Sequence, residues 1–182
     1  MNSIITSFKN YRALYFAIGL TVAFFLNAIW VLGPVSSCFN LNTGTNSLGI
    51  AFYYTKEMVE NFFQSRTQEQ LLCYSEFLQI WDVIFALVYT LMYAFWIVYF
   101  FKNKRLLLLI PILVMMFDWA ENYVELLMLE TYFNLTPIPE TLILLGSGIN
   151  SFKWSVSMLT YLVILFGIIM TIKIVLSKSK QS

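Results

Sequence analysis

The chain has 182 residues, 59% of them hydrophobic, 18% aromatic and only 12% charged, with a net charge of +1 and a mean hydropathy of +0.73. A soluble domain carries about a quarter charged residues, and a chain this short cannot enclose so much apolar surface in one core, so a soluble globular enzyme and a disordered chain are both excluded. Histidine is absent, which removes the commonest general base and metal ligand; two cysteines are too few for a thiolate metal centre, and the balanced charge gives nucleic acid no electrostatic footing.

The composition and pattern predict an all-α membrane protein, a single four-span bundle with an amphipathic helix in its outer loop. A bilayer-crossing helix takes roughly 20 apolar residues. The first such run covers about 13–33 and is expected to stop at Gly33-Pro34. It is longer than the core of a cleaved signal peptide, about 7–15 residues, so it reads as an uncleaved span, although Val35-Ser36-Ser37-Cys38 faintly resembles a lipoprotein cleavage box.

An outer loop follows, over 34–77. Its first part is rich in Ser, Asn, Thr and Gly and reads as irregular turn. From Tyr54 the pattern changes: Met58, Val59, Phe62 and Phe63 recur at helical spacing between Lys56, Glu57 and Glu60. With Thr55 as N-cap, this is a short amphipathic helix on the bilayer surface or capping the bundle. Thr67-Gln68-Glu69-Gln70 has the form of a capping box. A helix begun there runs on into the second span, about 78–101, and its length of about 50 Å exceeds a 30 Å hydrocarbon core, so it should project on the outer side. Cys38 and Cys73 both belong to the outer region, where a disulfide is permitted; a bridge and two separate thiols both remain open.

The third span covers about 106–129, with Pro111 tolerated near its start. The fourth covers about 152–175, with Gly146-Ser147-Gly148 as a flexible lead-in. The sequon Asn134-Leu135-Thr136 is followed by Pro137 and carries little weight. Lys9 and Arg12, then Lys102, Lys104 and Arg105, then Lys173, Lys178 and Lys180 form three segments without an acid. The positive-inside rule therefore puts both termini in the cytoplasm, in a plasma, inner or endoplasmic reticulum membrane.

Ionisable residues inside spans are costly and normally face a bundle interior or a wet cavity. Asp118, Glu121, Asn122 and Glu125 lie at i, i+3, i+4 and i+7, hence on one helix face. Asp82 opens the second span, and Asn150, Lys153, Trp154 and Ser157 open the fourth; the antiparallel runs bring all of them to the outer half of the bilayer. Tyr89, Tyr93, Trp96 and Tyr161 continue below. The expectation is an outward-opening pocket lined by Asp82, Asp118, Glu121, Asn122, Glu125, Asn150, Lys153 and Trp154, with the acids nearest the interface, Glu125, Asp82 and Glu130, solvated. Four carboxylates and one ammonium sum to −3, so a cation shares the site or a carboxyl keeps its proton. The alternative is architectural, with Lys153 paired to Glu121 or Glu125 and the network fixing helix register.

Tyr54-Thr55, the acidic Asp82, Asp118-Trp119-Ala120-Glu121-Asn122 and Lys153-Trp154 together resemble a group of uncharacterised four-helix integral membrane proteins. The resemblance implies that Asp118, Glu121, Asn122, Lys153 and Trp154 form one site, and implies no activity. At fold level only, the arrangement is also similar to four-helix sterol-isomerase and sterol-binding proteins of the emopamil-binding type, from which it departs in lacking the isomerases' histidine.

Three classes of function fit. The favoured one is binding of a lipid or small amphiphile, with aromatic walls for the tail and Asp118 and Glu121 for the head. The second is an accessory or assembly subunit of a larger membrane complex, or a homodimer. The third uses the same acids, Asp118 and Glu121, for acid–base chemistry or proton-coupled transport. No cofactor or metal is implied, and acyl transfer has no activated nucleophile.

Overall fold

The computed structural model describes residues 2–41, 47–102 and 104–179, without the side chains of residues 2–10, 178 and 179. Lys9, Lys178 and Lys180, counted above among the basic segments, lie outside those described side chains. Among the described residues every regular element is helical. Four helices are long and apolar enough to cross a membrane: Tyr11–Ser36, Gln68–Phe100, Arg105–Phe133 and Glu140–Ser177.

Helix α1 spans Asn2–Asn27 and does not stop at Gly33-Pro34 as expected. It passes through a π-helical turn at Ala28–Leu32 and ends with Gly33–Ser36. The N–H of Gly33 bonds to the carbonyl of Ala28, one residue further back than in an α-turn. That wider turn accommodates the proline ring, which lacks an N–H and would crowd a regular helix. The short helix α2, Lys56–Gln64, starts where the pattern predicts, with the Thr55 hydroxyl accepting from the Met58 N–H. It buries Val59, Phe62 and Phe63 and caps the bundle.

Helix α3 starts at a complete capping box, Thr67 with Gln70. It continues through Gln68–Glu76, a π turn at Phe77–Trp81 and Asp82–Phe100. The 33 residues from Gln68 to Phe100 give a helix of about 50 Å at 1.5 Å per residue. Its outer turns are wrapped by the loop rather than free: Phe39, Leu48, Tyr54, Phe62, Phe63, Leu71 and Tyr74 form one core with Val124 and Met128. Cys38 and Cys73 are joined in a disulfide, with a Cα–Cα distance of 6.4 Å. It ties the end of α1 to α3.

Helix α4, Leu109–Phe133, follows a 3-10 turn at Arg105–Leu108. It closes with the N–H of Thr136 bonded to Thr131 O and that of Leu135 to Tyr132 O. This is a Schellman cap in which Leu135, at φ 54°, holds the position usually given to glycine. Helix α5 runs from Glu140 to Ser179, a dozen residues longer at its start than expected. Gly146-Ser147-Gly148 is not a flexible lead-in but part of this helix. A Cβ on Gly146 would fall on the Tyr54 hydroxyl and lie 2.9 Å from Met128 Cε; the missing side chain lets α5 approach α4 and the cap.

The helices α4 and α5 pack along much of their length, α3 touches both, and α1 lies chiefly against α3. Small residues make the last contact close: Ala13 and Ala17 are buried, and Trp96 donates its indole N–H to the Thr21 hydroxyl at 3.0 Å. Small faces of this kind allow two helix backbones to approach closely.

Candidate functional site

The polar face of α4 points inward. Asp118, Glu121, Asn122 and Glu125 are all buried, with Glu121 and Glu125 at 1% exposure. Asp82 is half-buried. The expectation of a solvated Glu125 is therefore corrected: the loop core covers it, and the Tyr74 hydroxyl donates to its Oε2. Lys153, 8% exposed, bridges Asp118 Oδ1 at 3.1 Å and Glu121 Oε2. It does not pair with Glu125. Asn122 donates to Asp82 Oδ2 at 2.8 Å and to the Leu78 carbonyl at 3.3 Å, joining α4 to α3.

The outer segment enters this network through its backbone. The Gly49 carbonyl accepts from Lys153 Nζ at 3.3 Å and from the Trp154 indole at 3.0 Å. Asn150 donates to Ala51 O at 2.6 Å, Ser151 to Phe52 O at 3.1 Å, and the Tyr54 N–H to Ser147 Oγ at 3.0 Å. One face of α5 thus satisfies a run of loop backbone that would otherwise be buried unpaired. All eight sequence-predicted residues are in one neighbourhood. Asp82, Asp118, Asn122, Glu125, Lys153 and Trp154 face a cavity, whereas Asn150, bonded to the loop backbone, and Glu121, held by Lys153, do not line it.

That cavity has a volume of about 510 Å³, within the range of small-molecule sites. Phe24 and Leu32 of α1, Phe85, Tyr89 and Tyr93 of α3, and Trp154 and Tyr161 of α5 form its aromatic and apolar walls, and the acids its polar end. It reaches the surface beside Ile50 and Tyr161, both more than half exposed. Tyr93 and Tyr161 join hydroxyls across α3 and α5 at 2.6 Å. Glu125 Oε1, buried and on the cavity wall, has no N–H or hydroxyl donor on it, and neither has Oε1 of the neighbouring Glu121; the Tyr89 hydroxyl lies against Asp118. Among the described residues no group of three or more carboxylates and thiols is arranged to hold a metal ion.

Several participants escaped the sequence reading. Tyr74 carried a usable signal, because Tyr74, Leu78 and Asp82 follow one helix stripe into the site. Gly49 carried none, since its role depends on a contact 105 residues away. Arg66, which caps the loop core, is buried; it donates from Nε to Phe39 O and from Nη1 to Phe62 O, both at 2.8 Å. Burial lowers its pKa. Tyr54, under the cap, is shifted upward by burial and by the charges of Glu125 and Glu121, so its phenol stays protonated. A scan against protein-family models and searches of curated proteins and of solved structures find no match.

Proposed function

We propose that the chain inserts into a membrane as a four-span bundle and binds a small amphiphile in the cavity between α1, α3, α4 and α5. The observation that carries this reading is a ligand-sized cavity of about 510 Å³ with aromatic walls and, at one end, the carboxyls of Asp82, Asp118 and Glu125, of which Glu125 Oε1 is buried with no donor on it. Buried polar groups are nearly always satisfied, and a bound head group would satisfy this one. The tail would lie along Phe24, Leu32, Phe85 and Tyr161. In the membrane, Arg12, Lys102, Lys104, Arg105 and Lys173 lie at the cytoplasmic ends of the helices. The Cys38–Cys73 bridge, at the opposite ends, suits an oxidising compartment.

The test is mass spectrometry of lipids and metabolites that co-purify with the wild type and with Asp118→Asn and Glu121→Gln variants. The expected result is one enriched amphiphile class that both variants lose while remaining folded in detergent. Identical profiles for all three proteins would overturn the reading.

A further inference from the structure

The hydrogen-bond inventory at the polar end of the cavity is lopsided. Lys153 has three N–H donors, and three acceptors take them: Asp118 Oδ1, Glu121 Oε2 and the Gly49 carbonyl. The two amide hydrogens of Asn122 go to Asp82 Oδ2 and Leu78 O. The Trp154 indole N–H goes to Gly49 O. These donors are all engaged. Acceptors are left over. Glu125, 1% exposed, has no N–H or hydroxyl donor on Oε1 and lies beside the Glu121 carboxyl, whose Oε1 is likewise without one. Asp82 and Asp118 face the same space, with Asn122 on Oδ2 of the first and Lys153 on Oδ1 of the second. The Tyr89 hydroxyl, on a residue 8% exposed, can donate as well as accept, but it lies against the carboxylates of Asp118 and Asp82 and is engaged by Asp118.

Resting on the amphiphile-binding reading, we propose that the ligand of this cavity carries a protonated primary amine on an apolar tail. An ammonium brings three N–H donors to a wall that presents acceptors from Glu125, Asp82 and Asp118. It also adds positive charge where four carboxyls face one lysine. A carboxylate or phosphate head would set acceptors against acceptors and negative charge against negative charge, and Lys153 has no donor left to offer it. A hydroxyl head supplies a hydrogen bond but no charge. The selectivity is thus against anionic lipids and in favour of long-chain amines.

The experiment uses the full chain in neutral-lipid nanodiscs at pH 7.4. Three photoreactive probes share one dodecyl tail and differ in the head: amine, alcohol or carboxylate. Labelled residues are mapped by mass spectrometry. The amine is expected to label cavity residues such as Phe24 or Tyr161 at least tenfold more efficiently than the other two. Asp82→Asn/Asp118→Asn should cut that labelling at least tenfold, with helicity and the disulfide monitored. Should the double variant misfold, Glu125→Gln, which keeps an acceptor for Tyr74, serves in its place with the same expected loss. Equal labelling of the cavity by all three heads, or preference for the carboxylate or the alcohol, overturns the amine assignment and leaves the cavity reading standing. Cavity residues labelled by none of the probes would overturn both.

Discussion

Lys153 donates to the backbone carbonyl of Gly49, 3.3 Å away and 104 residues earlier in the chain. The contact makes the outer segment part of the buried ion network rather than a cover laid over it. The lysine holds Asp118 and Glu121 on α4 and the loop turn at Leu48–Ile50 at once, so the shape of the cavity and the position of the loop depend on the same ammonium.

Replacing Lys153 by methionine keeps the volume and removes the charge. Asp118 and Glu121 would then be buried without their cation, a change that costs about 3–5 kcal/mol for a buried pair that loses one partner. Thermal unfolding in detergent should show a large loss for Lys153→Met, and adding Asp118→Asn and Glu121→Gln should recover part of it. A single variant as stable as wild type would remove the lysine from the architecture.

Two glycines a turn-half apart on α5 should respond with opposite signs. A Cβ on Gly146 meets the Tyr54 hydroxyl, Met128 Cε and Val124 Cγ1, whereas one on Gly148 meets nothing within 4 Å. Gly146→Ala is expected to destabilise by about 1–3 kcal/mol through overpacking. Gly148→Ala is expected to stabilise by about 0.5–1 kcal/mol, as a glycine removed from a helix interior does. Melting curves of the two variants side by side decide this, and equal shifts would refute the close packing of α5 on the cap.

The Cys38–Cys73 bridge closes a loop with a sequence separation of 35, which corresponds to about 2–4 kcal/mol of stabilisation. The native protein should accept no maleimide in denaturant before reduction and two equivalents after it. Cys38→Ser/Cys73→Ser should melt at a lower temperature, and labelling of both thiols without reductant would contradict the bridge.

Much of the fold was legible because its signals are local. Thr55 and Thr67 cap helices through residues three positions on, and the face formed by Asp118, Glu121, Asn122 and Glu125 follows from helical spacing alone. The errors also have local causes. Gly33-Pro34 and Gly146-Ser147-Gly148 have the composition of breakers, yet a π turn absorbs the first and close packing against Tyr54 explains the second. Sequence position near a helix end suggests a solvated Glu125; Tyr74, 51 residues earlier on α3, donates to it in the interior.

By itself the sequence determined the all-helical class and the number and polarity of the long helices, since apolar runs and charge placement act over a few turns of one segment. Only the tertiary structure decided how the polar groups divide: which carboxyls Lys153 holds, that Asn122 and Trp154 have no donors to spare, and that Glu125 Oε1 is left without a donor beside a cavity. Hydrogen-bond capacity is written in each side chain, but its satisfaction depends on atoms 32 to 105 residues apart meeting within about 3.5 Å.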